Sequence, residues 1–326
     1  MTTRPRRLRN RAGFTLTELM IVTVLIGLIG SMITAVLMRQ QSFHRAVATV
    51  ADARARMRDV ATILPTDMRS ISTVGGDVLA LSDTSLQFRA FVGASVLCGY
   101  VVGSPALIEL PPRTLASGNV LTAWINPPAP GDIAFLYNDG TTAGNADDSW
   151  TPIQITDTTS STNATWCPVT SLFTTAGDAA ARRYRLTLAS NPDQTQIKAG
   201  APIRIGREVR YSGYLGADGN WYVGYQKCTF SGNVANAGVC GTREVLAGPI
   251  QAVTTNEATS GLYFKYYDQN GAQITAVANA SQIARAEVVI RTTSLSLRRS
   301  TRINVVNTEI TGGDSLRFNI GFRNRI

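Results

Sequence analysis

Histidine is almost missing from this chain of 326 residues: His44 is the single example. That scarcity removes most general-base chemistry and one of the two common zinc ligands. Cysteine is sparse too, with Cys98, Cys167, Cys228 and Cys240 and no CxxC spacing among them, so zinc is set aside. The sequence has no GxSxG elbow, no P-loop, no GxGxxG and no HExxH, each of which places a nucleophile, a phosphate cradle or a metal. No catalysis, cofactor or metal is therefore expected. Asp147-Asp148 and Asp268-x-x-Gly271 read as turns rather than calcium ligands.

Charge is absent where it matters most. No acid precedes Glu18, while Arg4, Arg6, Arg7, Arg9 and Arg11 crowd the first eleven residues. From Leu19 to Met38 there is no charge of either sign. At ~1.5 Å per residue those twenty residues make about 30 Å of helix, enough to span a bilayer. Positive residues stay on the cytoplasmic side, so the five arginines orient this helix with its N-terminus in. They also supply five of the +9 formal charge; taking them away leaves +4, which gives little support to nucleic-acid binding by the whole chain.

Glycine and proline are missing from Arg39 to Leu64, and alanine and arginine there favour continued helix. Phe43, Val47, Val50, Ala53, Met57, Val60 and Leu64 recur at steps of three and four and make one apolar stripe. The expectation is a helix over 14–64, apolar all round to residue 38 and amphipathic over 39–64, ended or kinked at Pro65. His44, between Phe43 and Arg45, is then a helix-surface residue.

After residue 71 the pattern turns to period two. Strands are expected at 85–92, 119–125, 132–138, 183–189, 201–214, 220–228, 261–275, 284–297 and 315–325. A Gly-rich connection at 215–220 suits a hairpin, and 139–181, rich in Thr, Ser, Asn and Asp, is expected as a surface insertion. The fold class is α+β: one long N-terminal helix on an antiparallel β-rich domain spanning 65–326. Four cysteines allow three pairings. Cys228 and Cys240 flank a short Gly/Asn-rich loop they could staple, leaving Cys98 and Cys167 as a long-range pair, in an exported compartment.

The segment Gly13-Phe14-Thr15-Leu16-Thr17-Glu18, a basic leader followed by an apolar helix with one acid, resembles the prepilin signature of type IV pilins and type II secretion pseudopilins. The C-terminal succession REVRYSGYL, GLYFKYYDQNG, ARAEVVIRTTSLSLRRS and FNIGFRNR is similar to the larger minor pilins of the PilW type and to J-type minor pseudopilins. The resemblance implies that a prepilin peptidase removes residues 1–13 by cutting between Gly13 and Phe14 and then methylates the Phe14 amine. It implies that Glu18 pairs with the amine of a neighbouring subunit. It implies an inner-membrane pool, with the domain outside the cytoplasm, and as partners other minor and major pilins and an inner-membrane assembly platform. A secretory signal differs, because its shorter apolar run precedes its cut. Thr17 replaces the usual aliphatic residue before the acid, and Ala35 stands where many major pilins carry a helix-bending proline. These departures favour a minor subunit that primes or caps a filament. The alternatives are a minor pseudopilin of type II secretion and a membrane-anchored adhesin or binding protein. Arg298, Arg299 and Arg302 are a candidate DNA contact, although a charged strand edge accounts for them as well.

Overall fold

The computed structural model describes residues 15–142, 144, 146–168, 173–193, 195–292 and 315–322. The chain divides near Asp52 into two compact units. One holds the N-terminal part of a single helix, α1 (Leu16–Arg69), and the other holds its last turns with all the described strands.

In the second unit α1 is held by its apolar stripe. Met57, Val60, Leu64 and Met68 are buried, one above another at steps of three and four. The helix passes Pro65 and ends at Arg69, one turn later than the sequence suggests. Leu64 and Met68, on either side of the proline, are fully buried. At roughly 1.5–3 kcal/mol per buried side chain, they and Ile71 offset the ~3 kcal/mol that an interior proline costs. Ser70 then closes the helix. Its Oγ donates to the Asp67 carbonyl at 2.6 Å and accepts the Phe91 N–H at 3.0 Å, stitching the helix end to the second strand.

Eleven strands form one sheet among the described residues: β1 (Val78–Ser82), β2 (Ser85–Val96), β3 (Gly99–Val101), β4 (Ala106–Leu110), β5 (Ala123–Trp124), β6 (Ile133–Asn138), β7 (Ser149–Ser161), β8 (Arg183–Leu188), β9 (Pro202–Leu215), β10 (Trp221–Lys227) and β11 (Glu244–Ile250). A second sheet orders β13 (Gln273–Ile274), β12 (Leu262–Tyr267), β14 (Arg285–Arg291) and β15 (Ser315–Gly321), every pair antiparallel. The spine of the larger sheet is β2 against β9, from Ser85↔Ser212 to Val96↔Pro202. Along its other edge β9 pairs first with β6 and then with β10. The β2 register shifts between Phe91 and Gly93, where Trp124 of β5 lies across the strand. A Cβ on Gly93 would sit 2.7 Å from Trp124 Cβ, so only glycine admits that contact.

This spine serves two apolar cores. Leu86 and Phe88 of β2, with Val209 and Tyr211 of β9, join the helix stripe and Phe264, Val288 and Ile320 of the smaller sheet. Val92 of β2 and Ile203 and Ile205 of β9 join Ile108, Leu136, Ile155 and Leu186 in the other. Arg207 falls between Ile205 and Val209 and marks the seam. Its guanidinium bonds both oxygens of fully buried Asp132 at 2.8 Å, and that pairing pushes the arginine further above its ordinary range despite burial.

Two sequence expectations change. The region 139–181 is more than a surface insertion, because β7 occupies 149–161 and runs between β6 and β8. Its β-branched threonines suit a strand, and Ile153 and Ile155 supply the core contact. The stretch 119–125 forms only the two-residue β5. Disulfides join Cys98 to Cys167 and Cys228 to Cys240.

Candidate functional site

The helix begins at Leu16, and Thr15 caps it. The Thr15 carbonyl accepts the Leu19 N–H at 3.2 Å, and its Oγ1 accepts the Glu18 N–H at 3.3 Å. Thr15-x-x-Glu18 has the spacing of a capping box, with an acid at the positive end of the helix dipole. The Thr15-x-x-Glu18 spacing in the sequence already carries this signal. Glu18 is exposed. Gly13 and Phe14 lie outside the described residues, as do Arg298, Arg299 and Arg302.

Between Glu18 and Arg39 the helix rises about 32 Å at ~1.5 Å per residue, matching a hydrocarbon layer of ~30 Å. Over Leu16–Arg45 it is long and apolar enough to cross a membrane, with none of its most apolar window buried by the described residues. Leu16, Met20, Ile26 and Met32 each expose more than 60% of their surface. The hydroxyls in this stretch are satisfied within the helix. Thr23 donates to the Leu19 and Met20 carbonyls, Ser31 to Leu28 and Thr34 to Gly30, at 2.8–3.0 Å. No hydroxyl there needs water, which suits lipid. Gly27 and Gly30 have open space around them, leaving room for close approach by another helix.

Asp147 accepts the Thr142 hydroxyl and the Thr141 and Thr142 N–H groups, which hold its carboxyl down at about 2. Asp268 accepts the Asn270 and Ala272 N–H groups of its turn. No group of three or more potential metal ligands occurs among the described residues. His44 is exposed, its ring 6.2 Å from that of Phe43. Asp67, near the end of α1, accepts the Tyr211 hydroxyl at 2.6 Å; burial raises its carboxyl above the ordinary range, and the tyrosine bond offsets part of that.

Residues 8–34 match the model of the prokaryotic N-terminal methylation motif. No curated protein and no solved structure matches the chain. The matched segment spans the end of the basic leader, Thr15, Glu18 and most of the apolar stretch, and with the helix and the antiparallel domain it supports a membrane-anchored, type IV pilin-like protein.

Proposed function

We propose that this chain is a minor type IV pilin of the PilW type that primes or caps a pilus. A prepilin peptidase cuts between Gly13 and Phe14 at the cytoplasmic face and methylates the new amine. The observation that carries this reading is the exposed apolar stretch Leu16–Arg45 of the helix capped at Thr15, in which the only acid is Glu18 in the first turn. An acid at the bilayer centre costs roughly 2.5–3.5 kcal/mol. Glu18 sits in the first turn of the helix, close to the membrane boundary, where its cost is smaller. Pairing with the Phe14 amine of a neighbour removes more of that cost and sets the axial register. The exposed apolar face is then covered by lipid in the membrane pool and by other pilin helices after assembly on the inner-membrane platform. The β-rich domain stands outside the cytoplasm, where its two disulfides persist.

The mass of the N-terminal peptide, from cells with and without the peptidase, tests this. The expected peptide starts at methylated Phe14 and disappears in the peptidase mutant. A leader retained in both strains would overturn the reading. Within a pilus, Glu18→Ala should abolish incorporation while leaving cleavage intact, read by the chain's presence in sheared filaments.

A further inference from the structure

The outer face of the β2–β9 spine, opposite the helix core, carries charges that no water reaches. Arg89 and Glu208 are direct cross-strand partners, and Arg89, Glu208 and their neighbour Gln87 are all buried. Their cover is the loop 229–239, which has neither helix nor strand and is closed by Cys228–Cys240. The Val234 carbonyl accepts Arg89 Nη2 at 2.6 Å, and the Gly238 carbonyl accepts Gln87 Nε2 at 2.9 Å. The Gly238 N–H donates to Glu208 Oε1 at 2.5 Å, an oxygen that also accepts Gln87 Nε2 at 2.7 Å. Gly238 must be glycine, since a Cβ there would run into the Thr229 carbonyl.

Two of the loop's three large apolar side chains face solvent, Val239 at 80% exposure and Val234 at 40%, and Phe230 is half-buried, so hydrophobic burial contributes only modestly. Closure also leaves Arg89 Nε and Glu208 Oε2 buried without a partner among the described residues, a cost that opening would relieve. Desolvation pushes the Arg89 guanidinium below its ordinary range. The two disulfides also differ in access. Cys98 and Cys167 are both buried, whereas Cys240 is partly exposed.

We propose that the Cys228–Cys240 loop is a redox-closed strap, whose reduction opens the Gln87–Arg89–Glu208 face while the sheet beneath and the Cys98–Cys167 bond stay intact. An external thiolate attacks one sulfur of the disulfide, releasing the other as a thiolate that takes up a proton. A second external thiol resolves the mixed disulfide, leaving two cysteine thiols and one external disulfide. In the oxidised state the strap's backbone supplies one hydrogen bond to each of Gln87, Arg89 and Glu208, while Arg89 Nη1 also donates to the Gly76 carbonyl at 3.0 Å. In the reduced state water replaces the strap.

The test uses the full chain in detergent micelles, folded first and then exposed to dithiothreitol, beside a Cys228→Ser/Cys240→Ser variant. Phenylglyoxal, which labels accessible arginine, and amide hydrogen exchange are read by mass spectrometry. The expected result is labelling of Arg89 only after reduction or in the variant. Amides of 229–239 should exchange about 30- to 1,000-fold faster, the range implied by a typical disulfide constraint, with β2 and β9 still protected. A Cys98→Ser/Cys167→Ser variant should leave Arg89 unlabelled. An unlabelled Arg89 with a protected loop after reduction would show that the loop holds itself. Loss of protection across β2 and β9 would make the disulfide a staple of the whole sheet. Either outcome overturns the proposal.

Discussion

The two halves of α1 use the same apolar vocabulary in opposite surroundings. Met20, Leu25 and Ile29 expose more than half of their surface, while Met57, Val60 and Leu64 are buried. The difference lies in how the apolar residues are distributed. Around the first half they cover every side, and no single sheet can bury all sides of a helix. Around the second they form one stripe, which the domain covers from Met57 to Met68, whereas Phe43 and Val47, earlier on the expected stripe, stay exposed; arginines and aspartates take the rest. A helix apolar all round needs an environment that surrounds it, and lipid or a bundle of other helices provides one.

The comparison breaks most readily at Leu64. Leu64→Ala should destabilise the domain by about 2–5 kcal/mol, whereas Leu25→Ala should change it by less than about 0.5 kcal/mol. Denaturant unfolding in micelles, followed by tryptophan fluorescence, separates them, and equal effects would erase the distinction between the halves. Tyr211→Phe should cost about 1–3 kcal/mol at neutral pH by leaving the Asp67 carboxylate without its donor. The pH dependence sharpens this point. Asp67 has its carboxyl raised by burial, so its stabilising contribution is complete below the unfolded value of about 3.9 and is lost as pH rises through the folded value. Asp67→Asn should flatten that part of the stability profile between acid and neutral pH, and an unchanged slope would assign it to another group. The smallest effect is expected at the other end. Thr15→Val should weaken the first turn by about 1 kcal/mol, seen as faster amide exchange at Glu18 and Leu19, with domain stability unchanged.

Much of this was legible in the sequence, for physical reasons that can be named. The apolar helix, its acid and the leader are local patterns, and each carries its meaning within a few residues. The stripe gave the docking face of the helix but not its end, because whether Pro65 terminates a helix depends on what Leu64 and Met68 bury. Strands such as 85–92 and 201–214 announced themselves by alternation. β7 did not, since threonine and serine on both faces hide the period of two and look like loop composition. The short β4 is bounded by Gly103-Ser104-Pro105 and Pro111-Pro112 but is too short and too evenly apolar to show alternation, and β11 contains Pro249. Asp67 with Tyr211 and Arg89 with Glu208 pair across 144 and 119 residues of chain, a separation that no local pattern encodes.

The shared spine has a consequence for how the domain comes apart. Each of β2 and β9 contributes one stretch to the helix-facing core and the next to the second core. Neither core can melt without stripping two strands from the other. The two are therefore expected to lose and regain structure together, although their side chains never merge into one cluster.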